Sequence, residues 1–200
     1  MPRSKTFKGF TLIELLVVIS IIALLSSVVI SSLNSARDRA RYTKVAQDFI
    51  QMEKALYFLY SDYGCWPRER TNYGTACVAI PGASTANSPT IAHLVTYSSG
   101  LGKYLKQAPD FPFPNDGNGY TYDNEGDTYN EASCSSQSSG ATGVSLSVAE
   151  GSNSLDEVYR RLNDIFDKDA NPDTNTAKRC GKIRFHSDAS IIYSISNDQI

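Results

Sequence analysis

Two hundred residues, 41% of them hydrophobic and with a formal net charge of -2, allow one modest globular domain and little beside it. So mild an acidity gives no electrostatic footprint for nucleic acid. No Gly-x-x-x-x-Gly-Lys-Ser/Thr phosphate loop occurs, and the only histidines, His93 and His186, sit in no nucleophile or metal motif. The residues therefore point away from an enzyme.

The chain opens with three basic residues, Arg3, Lys5 and Lys8, followed by Gly9-Phe10-Thr11-Leu12-Ile13-Glu14 and an apolar run from Leu15 to Ile30. About 20 apolar helical residues span a bilayer core. A carboxylate inside such a segment costs roughly 2.5–3.5 kcal/mol on insertion scales, so Glu14 reads as functional. A secretory signal cut near Ala36 is the competing reading, but it leaves Gly9 and Glu14 without a purpose. Charge does not orient the span, because Arg37, Arg39, Arg41 and Lys44 follow it as closely as the first three basic residues precede it.

No Pro or Gly interrupts residues 10–63. Val45, Phe49, Met52, Leu56, Leu59 and Tyr63 recur at spacings of four and three, which makes one face of a helix that a sheet can cover. Gly64 and Pro67 supply the stop. One helix from Phe10 to Tyr63 would be about 80 Å long. Residues 65–119 read as irregular, punctuated by Pro67, Pro81, Pro89, Pro109, Pro112 and Pro114, with a short helix over Thr90–Leu105. Strands are expected at Tyr120–Asp123, Val144–Val148, Lys182–Phe185 and Ser190–Ile195, and a long Ser/Gly/Asn-rich loop at Asn124–Gly143. Ser154-Leu155-Asp156-Glu157 has the form of a capping box, and Leu155, Val158, Tyr159, Leu162, Ile165 and Phe166 give the helix behind it an apolar face. The fold class is α+β: a long N-terminal helix, its first half crossing the membrane, packed on a small antiparallel sheet.

Cys65, Cys77, Cys134 and Cys180 all follow the apolar segment and form no Cys-x-x-Cys pair. An even number in an exported domain favours two disulfides, with three pairings possible. Cys65–Cys77 would close a short loop, and Cys134–Cys180 would tie the Ser-rich loop to a strand. Asp167, Asp169, Asn171 and Asp173 alternate oxygen-bearing side chains as at the start of a calcium loop. Pro172 and Lys178 stand where such a loop needs Gly and Glu, and a solvated turn explains the same residues.

Lys8-Gly9-Phe10-Thr11-Leu12-Ile13-Glu14 and its apolar run resemble the processing site of the type IV prepilin family of pilins and type II secretion pseudopilins. Leu56-Tyr57-Phe58-Leu59-Tyr60-Ser61-Asp62-Tyr63-Gly64-Cys65-Trp66-Pro67 looks like the helix end of the major pseudopilin. Tyr104–Pro112, followed by Gly119-Tyr120-Thr121-Tyr122, is similar to the loop before its first strand. The family's usual C-terminal calcium-loop sequence is missing. The resemblance implies a leader at 1–9, an assembly helix at 10–30, its amphipathic continuation at 31–63 and an extracytoplasmic pilin-like domain at 64–200. Without the leader, 16 basic residues face 21 acidic ones, a net charge of -5. The resemblance further implies cleavage between Gly9 and Phe10 by a prepilin peptidase, N-methylation of Phe10, and pairing of Glu14 with the amine of a neighbouring copy. Copies of itself, minor pilins, an assembly ATPase and a platform protein are the implied partners. The location would be a single-pass anchor in the cytoplasmic membrane with the C-terminal domain extracytoplasmic, and then an extracellular or periplasmic fibre. The alternative is a membrane-tethered binding domain that never polymerises. Many relatives weaken this helix with a mid-span Gly and a later Pro; Ala23 and Ser31-Ser32 stand there instead, which implies a straighter anchor.

Overall fold

A computed structural model of the chain describes residues 9–67, 90–113, 119–123, 144–149, 155–168, 181–186 and 190–196. The expected Asn124–Gly143 loop lies outside them. The chain divides into two compact units, Met1–Ala40 and Arg41–Ile200. Helix α1, Leu12–Tyr63, contributes residues to both. Its β-branched residues lower the intrinsic helix propensity. The absence of any Gly or Pro keeps the backbone ladder unbroken nonetheless.

In the first unit every described residue is exposed. Ser20, Ser27, Ser32 and Ser35 donate their hydroxyls to the carbonyls of Leu16, Leu24, Val28 and Ser31 at 2.8, 2.8, 3.1 and 3.4 Å. Their protons are thus satisfied within the helix, which lowers the cost of carrying them in an apolar segment.

In the second unit the expected stripe is the core. Val45, Phe49, Met52, Leu56 and Leu59 are fully buried, and Tyr63 is half-buried. They pack with a four-stranded antiparallel sheet of β1 (Thr121–Asp123), β2 (Val144–Ala149), β3 (Ile183–His186) and β4 (Ser190–Ser196) in the order β1-β2-β4-β3. Register aligns Tyr122, Leu146, Tyr193 and Ile183 in one buried row across all four strands. Phe49 stacks on Tyr193 at 4.9 Å and meets Tyr120 edge-on at 5.4 Å. Gly64, at φ 71, closes α1 in a left-handed conformation costly to other residues, and its N–H donates to the Tyr60 carbonyl at 2.7 Å.

Three expectations change. The helix over Thr90–Leu105 is two pieces, α2 (Ile91–Val95) and a 3₁₀ turn at Leu101–Lys103. The chain reverses between them so tightly that a Cβ on Gly102 would lie 2.4 Å from the Val95 carbonyl oxygen. Helix α3, Asp156–Phe166, has Leu155 rather than Ser154 as its N-cap, with no side-chain cap bond. Glu157 pairs instead with Arg161 at 2.8 Å. Ile165, expected on the buried face, is 43% exposed; it lies at the edge of the stripe, beside the half-buried Phe166.

Phe49→Ala is expected to cost about 3–5 kcal/mol, read from the denaturant midpoint of the detergent-solubilised chain. Lys168, just past α3, holds φ 58. Lys168→Gly should relieve that conformation and raise the same midpoint by about 1 kcal/mol.

Candidate functional site

The start of α1 is a reciprocal polar cap. The Thr11 N–H and hydroxyl both donate to Glu14 Oε2, at 2.9 and 2.8 Å, while the Glu14 N–H donates back to Thr11 Oγ1 at 3.3 Å. The Thr11 carbonyl takes the first intrahelical bond, from the Leu15 N–H at 3.3 Å. This is a capping box, Thr-x-x-Glu, in which two N-terminal amides lacking helical partners are satisfied at once. Both acceptances fall on one oxygen. Glu14 Oε1 has no partner among the described residues. Reading the sequence assigned Glu14 to a neighbour and passed over Thr11, although the Thr-x-x-Glu spacing of three was there to be read.

Gly9 and Phe10 precede the cap in non-helical backbone, and Phe10 is 81% exposed. A Cβ built on Gly9 would meet nothing within 4 Å, so the fold itself does not require a glycine there. Beyond the cap, α1 is long and apolar enough to cross a membrane, and none of that apolar stretch is buried within the chain. It is an apolar surface of at least 18 residues with no cover among the described residues.

Three polar ties hold the second unit together. Asp48, nearly buried on α1, accepts from the Tyr120 hydroxyl at 3.0 Å and pairs with Lys44 at 2.6 Å. Glu53 accepts from Lys182 Nζ at 2.5 Å and from the Tyr193 hydroxyl at 2.7 Å, with Lys182 also over the Tyr193 ring. Asp62, in the last turn of α1, binds Lys103 and the Tyr104 hydroxyl, and those bonds, the Lys103 one first, hold its carboxyl below the usual range.

Of the candidate calcium ligands, only Asp167 falls among the described residues. Its Oδ1 accepts from the Lys182 N–H and its Oδ2 from the Ile183 N–H, both at 2.8 Å. Asp169, Asn171 and Asp173 lie outside. Among the described residues no cluster of three or more acidic, His or Cys side chains is placed to hold a metal. Cys65 is a half-cystine, and its candidate partners Cys77, Cys134 and Cys180 also lie outside the described residues.

A helix of membrane-crossing length, headed by a self-capped acid and packed at its far end on a small antiparallel sheet, defines a pilin-like class of protein. Residues 4–30 match the prokaryotic N-terminal methylation motif. The chain is 33% identical over 109 residues to the type II secretion system core protein G of Escherichia coli K12, covering 54% of this chain and 68% of that one. The core protein G of Vibrio cholerae is 29% identical over 127 residues, 64% and 77% of the two chains. The type IV major pilin protein PilE of Neisseria gonorrhoeae is 33% identical over 69 residues, 34% and 41%. No solved structure matches the chain at a significant level. The chain belongs to the family of type IV pilins and type II secretion pseudopilins.

Burial pushes the Tyr193 hydroxyl far above its ordinary value of 10, and its bond to Glu53 adds to the shift. Burial does the same to Tyr120, followed by the charge of Asp48. Folded values above unfolded ones mean that the contribution to stability is whole below pH 10 and is lost as pH rises beyond it. Stability should therefore fall by about 1.4 kcal/mol per tyrosine for each pH unit above 10. Melting temperatures taken between pH 8 and 11 check this, and Tyr193→Phe should flatten the decline.

Proposed function

We propose that this chain is a structural subunit of a type II secretion pseudopilus or a related pilus-like fibre, assembled through its N-terminal helix. The observation that carries the reading is the apolar surface after the Thr11–Glu14 cap, for which the described residues offer no cover. Lipid covers such a surface before assembly and other helices cover it afterwards. The leader is removed between Gly9 and Phe10 by a prepilin peptidase, and Phe10 becomes N-methylated. Gly9 suits that step, since an extended backbone without a Cβ enters a tight protease cleft. It supports this that the glycine meets no packing need of the chain's own.

Cleavage turns the Phe10 amide into a cation. Glu14 Oε1, left open by the cap, is then the acceptor for the Phe10 ammonium of an adjacent copy. The cap and the intersubunit pair use different oxygens, so assembly does not require the helix start to unravel. Breaking a buried pair of this kind by removing one partner costs about 3–5 kcal/mol. Residues 10–30 pass from the bilayer into the fibre core, and the domain after them forms its outer surface. A cytoplasmic ATPase and a polytopic platform protein supply the work, and minor pilins join the fibre. Helix α1, without Gly or Pro, stays continuous through that transfer. Cys65–Cys77 and Cys134–Cys180 are the proposed disulfides. Calcium at Asp169, Asn171 and Asp173 would share Asp167 with two amides already bound to it, and melting with and without calcium tests for it.

The competing reading is a tethered domain that does not polymerise. Mass spectrometry of the mature N-terminus should find N-methylated Phe10; an intact Met1 or a cut near Ala36 refutes the assignment. Glu14→Ala should reduce fibre yield at least tenfold while the chain still inserts, whereas a tether is indifferent to it.

A further inference from the structure

The outward stripe of α1 in the second unit, Gln47, Gln51, Lys54 and Phe58, is polar except at its end, where Phe58 is 59% exposed and only one side of its ring stacks, on Tyr104 at 5.6 Å. Four residues back, Lys54 has no ion-pair partner among the described residues. This sets it apart from Lys44, Lys103, Arg161 and Lys182, each of which is paired within the chain. Helix α3 presents the counterpart. Ile165, at the edge of the helix's apolar face, is 43% exposed, and beside it Asp164 is exposed, again without a partner among the described residues.

Each patch thus joins one unpaired charge to one exposed apolar side chain, and the charges are opposite. The patches lie on different elements. Helix α3 runs beside α1, its Arg161 guanidinium 6.0 Å from the Tyr42 ring and its C-cap Asp167 bound to the amide of Lys182, whose ammonium holds Glu53. Within the chain both patches nonetheless stay exposed, Phe58 at 59% and Ile165 at 43%, and a second copy can bring the two together. We infer that successive copies meet head to tail, with Lys54 and Phe58 of one against Asp164 and Ile165 of the next. A contact between two different patches does not close on itself as a two-fold one does, so it propagates. An aromatic anchor flanked by a complementary charge is also the composition of an interface centre rather than of an idle surface.

The inference rests on the fibre reading, and the test separates the two. Full-length chains carrying Lys54→Glu, Asp164→Lys or both are expressed with the native assembly partners, and sheared fibres are quantified. Each reversal should lower fibre yield roughly tenfold by placing like charges together, and the double reversal should restore it. Lys54→Gln and Asp164→Asn, which add no repulsion, should give smaller losses in the same order, and unchanged melting of all variants excludes misfolding. Undiminished yield in both single reversals, or a double variant no better than either, overturns the contact while leaving the fibre reading intact. If the unaltered chain forms no fibre, the reading fails and takes the contact with it.

Discussion

An apolar helical surface that its own chain leaves bare is the constraint under which the rest of this molecule is organised. Such a surface is tolerable only in lipid or against other helices, and in either setting every backbone polar group must be satisfied locally. The first unit goes far toward this. The Thr11 and Glu14 amides are closed by each other's side chains, and four serine hydroxyls are turned back onto carbonyls. Glu14 is thereby a structural acid before it is anything else. The assembly role proposed for it would be added to this local duty through its second oxygen.

The second half of α1 meets a different demand. Its stripe must choose one register on the sheet, and apolar packing alone discriminates weakly between positions one helical turn apart. The polar ties do the choosing. Asp48 reaches the Tyr120 hydroxyl, Glu53 reaches Lys182 and Tyr193, and the Tyr57 hydroxyl donates to the Ile195 carbonyl at 3.1 Å. A slip would leave these groups desolvated and unpaired, which costs far more than the bonds themselves contribute.

What could be read in advance follows the range of the forces involved. The α1 stripe, the stop at Gly64 and all four strands depend on local periodicity and turn chemistry, and they fell within a residue or two of expectation. The break between α2 and the 3₁₀ turn depends on the backbone of Gly102 approaching that of Val95, which no periodicity encodes. Ile165 carried the right chemistry for the core but lay at the edge of its helical face. Asp167 reads as a metal ligand from its acidic neighbours, while its bonds to the amides of Lys182 and Ile183, 15 and 16 residues away, leave no mark in the local sequence. Thr11 was the one legible feature missed.

Lys182 is where the second unit is knotted. Its amide is held by Asp167 and its carbonyl by the Ser194 N–H at 2.8 Å, while its ammonium is held by Glu53 on α1. Helix, post-helical turn and central strand thus converge on one residue. A displacement of α1 therefore reaches the sheet and the turn after α3 through the single Glu53–Lys182 link.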